Sequence, residues 1–180
     1  VATIKSMDKD GIVIYAGSYS KTISPGLRVG FLYANSQLIE KVVVCKQVSD
    51  VHTTVLSQMI ISEYLNKYDF DAQIKKSATL NGEKCALMQE CIDSFFPKSV
   101  TKTNPQGGLF LWCELGGNID SKEFAAKCLE KNVAIVSGAS AMPDTSKPTS
   151  AFRLNFSMAS NQDIQTGIQQ IREVIKEYER

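Results

Sequence analysis

The sequence predicts an α/β fold that passes, beyond Pro97, into a separate α+β unit. Two short apolar strands lie close together near the N-terminus, at residues 11–15 and 29–33. Helical spacing then fills the middle of the chain. After Pro97, short strands and amphipathic helices alternate, ending in an apolar stripe at steps of three and four.

Taken in order, residues 11–15 (Gly-Ile-Val-Ile-Tyr) read as a short buried strand bounded by Gly11 and Gly17. Residues 29–33 read as a second. The polar stretch between them carries Pro25 and Gly26 and is not helical throughout. Asn35 and Ser36 offer cap chemistry for a helix bearing Leu38, Ile39, Val42, Val43 and Cys45, and helical spacing continues or restarts over 53–65. A long helix over 70–96 follows, stopped by Pro97. Gly82 weakens it by about 1 kcal/mol relative to Ala and marks where it could break. Strands are predicted at 100–103, 109–115, 133–136 and 152–156, and a helix at 121–131 with Phe124, Ala125, Cys128 and Leu129 on one face. Ser160 and Asp163 form a capping-box pair. Ile164, Ile168, Ile171, Ile175 and Tyr178 then define an amphipathic helix. Loops fall at 104–108 and 137–150. A domain boundary is expected between 66 and 98, dividing the chain into 1–65 and 66–180.

Composition narrows the function classes. Among 180 residues, 43% are hydrophobic and 22% charged, which supports a sizeable core and argues against disorder. A net charge of +1 gives no footprint for nucleic acid or an acidic membrane face. No apolar run is long enough to span a bilayer, and Asp8 and Asp10 interrupt any signal peptide. The chain opens on Val1 rather than Met, so it is expected to begin inside a longer protein. The five cysteines (Cys45, Cys85, Cys91, Cys113, Cys128) include no CxxC pair, and His52 is the one histidine. A zinc site is therefore not expected, and free thiols in a reducing cytoplasm are. His52 would have to serve any Ser-His-Asp or Cys-His mechanism alone, and it reads instead as part of a helix break.

The chemistry concentrates at residues 17–30. Lys21 follows a strand, with Ser18 and Ser20 before it, and Arg28 stands in a Pro-Gly turn before the second strand. A P-loop would need glycines at positions occupied by Tyr15 and Ser20, so that reading fails. The alternative is that Ser18, Ser20 and Arg28 bind a phosphate while Lys21 does covalent work beside it. Hydroxyls and a forked guanidinium suit a phosphate dianion. A lysine amine forms an imine with an aldehyde. A phosphate and an aldehyde on one small molecule point to pyridoxal 5′-phosphate. The bland alternative for Lys21 is an exposed loop lysine.

The segment Gly17-Ser18-Tyr19-Ser20-Lys21-Thr22, continued by Ser24-Pro25-Gly26-Leu27-Arg28-Val29-Gly30, resembles the Schiff-base lysine motif of class I/II, fold-type I, pyridoxal-phosphate-dependent aminotransferases. It is most similar to the branch holding 2-aminoadipate aminotransferases and the aminotransferase-like domains of MocR/GntR-type regulators. Residues 46–58, the Pro105-Gln106-Gly107-Gly108-Leu109-Phe110-Leu111-Trp112 run and Phe152-Arg153-Leu154-Asn155-Phe156 resemble later segments of the same family, in order.

The resemblance implies that residues 1–65 are the end of the large cofactor-binding domain with the interdomain helix, and 66–180 the small α+β C-terminal domain. It implies that Lys21 is catalytic through a Schiff base and proton transfer, that Ser18, Ser20, Lys21 and Arg28 bind the cofactor, and that Arg153 binds the substrate carboxylate. Substrates would be an amino acid and a 2-oxo acid, and the full-length protein a homodimer. The chain departs from the family at Ser137 and Met142, where proline and an aromatic are usual, and at Gly82, in a helix commonly rich in arginine. The family's pyridine-nitrogen Asp, its Tyr and Asn partners and its ring-stacking aromatic lie N-terminal to this segment. The chain is therefore expected to be a C-terminal half, inactive alone, with apolar faces exposed. The alternatives are a lyase or racemase on the same fold, a regulator's effector domain that binds the cofactor without turnover, and an α/β module with no cofactor. Trp112, Phe110 and Phe156 read as core or interface aromatics rather than cofactor stackers, and Tyr15, Tyr19 and Tyr33 as packing residues.

Overall fold

A computed structural model describes residues 2–179. The chain forms two compact units, Val1–Ile74 and Lys75–Arg180. In the first, β1 (Tyr15–Ser18) and β2 (Gly30–Tyr33) pair antiparallel, with Tyr15 opposite Tyr33 and Gly17 opposite Phe31. Two glycines are closely approached here, Gly17 by a side chain and Gly30 by backbone. The Phe31 ring lies where a Cβ on Gly17 would stand, and a Cβ on Gly30 would come within 2.7 Å of the Gly17 carbonyl oxygen. Tyr15 and Tyr19 each set a ring 5.6 Å from that of Phe31.

The expected buried strand at 11–15 is corrected: only Tyr15 belongs to a strand, and Ile12 is 77% exposed. Asp8 is the physical reason. Its carboxylate accepts from the amides of Ile12 and Val13, both at 3.1 Å, which folds the segment into a turn instead of offering it to a ladder. The Lys5 ammonium, together with these amides, lowers the Asp8 pKa to about 2. α1 (Ser36–Ser49) starts where the cap residues placed it, with Asn35 Oδ1 accepting from Leu38 N at 2.9 Å. α2 (Val55–Lys67) follows a break at 50–54 that holds His52. Ile61 is the buried apolar residue of this unit among those described, while Val48 and Leu56 stand exposed.

α3 (Phe70–Phe95) runs unbroken through Gly82. The second unit then builds an antiparallel sheet of β3 (Thr101–Lys102), β4 (Phe110–Glu114), β5 (Val136–Ser137) and β6 (Ala151–Asn155), in the order β3-β4-β6-β5. Alternation sets its faces. Leu111, Cys113, Phe152 and Leu154 are buried in a core shared with α3, α4 (Ser121–Glu130) and α5 (Asn161–Glu177). From α5 come Ile164, Ile168, Ile171, Val174 and Ile175, the predicted stripe with Val174 added and with Tyr178 only partly buried at the C-cap. The predicted strand at 133–136 shrinks to Val136–Ser137, because the Val133 amide closes the end of α4 on Cys128 O at 2.9 Å rather than joining a ladder. Lys84 Nζ ties α3 to the turn after β6, donating to the carbonyls of Ser157 at 3.1 Å and Ala159 at 2.7 Å. No helix among the described residues is long and apolar enough to cross a membrane.

Candidate active site

The lysine loop is built by the hairpin. One further bond, Tyr19 N to Val29 O at 3.1 Å, continues the pairing past Ser18. The Tyr19 carbonyl then accepts from the amides of Thr22, Ile23 and Ser24 at 3.3, 2.8 and 3.1 Å, which curls the chain and places Lys21 in an exposed tight turn. Lys21 Nζ makes no hydrogen bond or ion pair among the described residues. Ser18 Oγ accepts from Ser20 N at 3.2 Å. A one-turn 3-10 segment at Pro25–Leu27 returns the chain, and Arg28 closes it in the left-handed region at φ 54°.

From that backbone Arg28 Nη1 donates to Pro25 O at 3.1 Å and to Ser20 Oγ at 3.4 Å. The structure thus brings together Ser18, Ser20 and Arg28, with Lys21 on the same loop. Arg28 has no carboxylate partner among the described residues. Two serine hydroxyls and the remaining guanidinium N–H groups are left to donate, a set that fits a phosphate dianion.

Arg153 belongs to the second unit. It sits on β6 opposite Trp112 of β4 and Val136 of β5. It shares the sheet face turned away from the core, is half-buried, and has no carboxylate partner among the described residues. Its Cζ lies 4.1 Å from the centre of the Phe110 ring. Phe110, expected as a core or interface aromatic, does not belong to the core: it is 37% exposed and in contact with Arg153. A cross-strand diagonal carries that contact, and nothing in the local sequence signals it. Ser137 has a structural role. Its Oγ lies 2.7 Å from that of the buried Ser121 and accepts from Ala139 N at 3.2 Å, capping the turn Gly138–Ala141. His52 lies at the break between α1 and α2, with Nδ1 3.0 Å from Thr53 O.

The family described as "Aminotransferase class I and II" matches residues 1–171, and this chain belongs to it. Kynurenine/alpha-aminoadipate aminotransferase, mitochondrial, of Mus musculus is 36% identical over 97% of this chain and 42% of its own length. An uncharacterized HTH-type transcriptional regulator of Bacillus subtilis is 30% identical over 97% of this chain and 36% of its own. The crystal structure of Pyrococcus horikoshii kynurenine aminotransferase, in complex with PMP, superimposes with a TM-score of 0.93 at 31% identity, over 98% of this chain and 43% of that one. The chain thus spans about two fifths of the length of the relatives it matches. The predicted α/β fold with its α+β unit is that of the aminotransferases over this span.

Proposed function

We propose that this chain is the C-terminal part of a pyridoxal-phosphate-dependent aminotransferase that moves an amino group from an amino acid to a 2-oxo acid. Residues 1–65 end its large domain with the interdomain helix, and 66–180 form its small domain. The whole protein is a cytoplasmic homodimer. The observation that carries the reading is the cradle of Ser18, Ser20 and Arg28 on the loop that bears Lys21, in a chain of this family.

Each residue has a task that its geometry supports. Arg28 and the two serine hydroxyls hold the cofactor phosphate and so fix the cofactor against the Lys21 loop. When bound, pyridoxal phosphate supplies an aldehyde that captures amines and a ring that draws electrons from the Cα–H bond. Lys21 Nζ holds the cofactor and takes up the proton released from the amino acid Cα. Arg153 grips the α-carboxylate with a forked pair of N–H groups and so orients the Cα–H. In the whole enzyme, Lys21→Ala should remove the near-visible absorbance band of the bound cofactor and abolish turnover, and a persisting band would overturn the lysine assignment. The 180-residue chain alone, with added cofactor, should show no turnover, because it spans only about two fifths of the length of the relatives it matches. The regulator relative favours a second reading, in which the same site binds the cofactor as an effector. Turnover by the whole protein decides between the two.

A further inference from the structure

We infer that Phe110 is a positioning residue for Arg153, a role that rests on the reading of Arg153 as the carboxylate site. β4 residues Phe110 and Trp112 lie on the same sheet face as β6 residues Arg153 and Asn155, since the intervening Leu111, Cys113, Phe152 and Leu154 point into the core. Phe110 is in register with Asn155, so its ring reaches Arg153 along the diagonal, a span open to aromatic and long side chains. The result is that the guanidinium carbon lies over the ring, 4.1 Å from its centre.

That contact bears on how Arg153 binds. A guanidinium is planar, and its five N–H groups lie in the plane. A ring against its face is attracted to the cation without using any of those donors. The ring therefore restrains the side chain by attraction to its charge, and the donors stay available for a ligand. No carboxylate among the described residues occupies the fork. An α-carboxylate is the planar anion that such an edge takes with two parallel bonds. Arg153 without the ring keeps its charge and donors but loses that restraint, so part of the ordering is left to the moment of binding.

The test is a double-mutant cycle in the whole enzyme, reading kcat and KM for the donor amino acid and the inhibition constant of a simple monocarboxylate. Phe110→Leu should raise KM and the inhibition constant together by about fivefold, with kcat changed less than about twofold. Phe110→Tyr, which keeps the ring, should restore both to within about twofold. Phe110→Met serves the same comparison if the Leu variant does not fold. Arg153→Lys should raise KM by about tenfold or more. Once the fork is gone the ring has no fork to restrain, so the double variant should match Arg153→Lys within about twofold. Unchanged KM in both ring-deleted variants overturns the positioning role, as does a double variant whose KM equals the product of the single effects. Unchanged KM in Arg153→Lys overturns the carboxylate assignment itself, and is distinguishable because it appears without any change at Phe110.

Discussion

Arg28 holds a left-handed backbone, φ 54° and ψ 40°, a conformation that costs a non-glycine residue about 1 kcal/mol or more. Such a residue persists only where its surroundings fix it. Here the fixing contacts are the Tyr19 N to Val29 O bond just beyond it and its own Nη1 bonds to Pro25 O and Ser20 Oγ. Backbone and side chain can be separated by two substitutions. Arg28→Ala and Arg28→Gly both delete the guanidinium, so in the whole enzyme both should weaken cofactor binding to a similar degree. Only glycine relieves the backbone. Arg28→Gly should therefore be more stable than Arg28→Ala by about 1 kcal/mol in urea unfolding. Equal stabilities would mean that the loop gives up the left-handed turn when the side chain is lost, and that the arginine itself creates the cradle.

At the element scale, α5 shows how much a local pattern can carry. Ser160 Oγ accepts from Asp163 N at 3.1 Å, and the Asp163 carboxylate accepts in return from Ser160 N at 3.2 Å and Ser160 Oγ at 2.7 Å. Those bonds hold the Asp163 pKa below the usual carboxylate range. Ser160→Ala removes the two bonds made by Oγ, leaves the backbone N–H arm to Asp163, and should cost about 1 kcal/mol in urea unfolding, and a cost near zero would show that the remaining arm and the tertiary packing of the isoleucine stripe set where the helix starts. This helix, the Asn35 cap of α1 and the length of α3 were legible because caps and 3.6-residue periodicity lie within a few residues of one another. That Ser18, Ser20 and Arg28 meet was legible for a similar reason: one hairpin joins them. The segments at 11–15 and 133–136 were misread because β-branched residues announce a strand while only a distant partner can make one. The place of Phe110 beside Arg153 was out of reach for the same reason. Its contact with Arg153 depends on the β4–β6 register, which brings together residues more than forty positions apart in the chain.

Across the whole chain, the two units differ in how they treat apolar side chains. The second encloses Phe124, Phe152, Cys113 and Cys128 completely, whereas the first leaves Val48 at 85% and Leu56 at 67% exposed. The cysteines report this difference chemically, because all five are free and the thiolate is the reactive form. Burial pushes the thiols of Cys113 and Cys128 up to about 12, and burial with the nearby Glu90 charge raises that of Cys91. Cys85 is also buried, while Cys45 on α1 is exposed. Titration with an aromatic disulfide near neutral pH should therefore modify Cys45 at once. The four thiols of the second unit should follow at a single rate, because reaching any of them requires opening the same core. Added denaturant should accelerate that slow phase and leave the fast one unchanged. Two slow rates, one shared by Cys85 and Cys91 and the other by Cys113 and Cys128, would mean that α3, which carries the first pair, opens independently of the sheet and α4, which carry the second. The core of the second unit would then be two cooperative blocks rather than one.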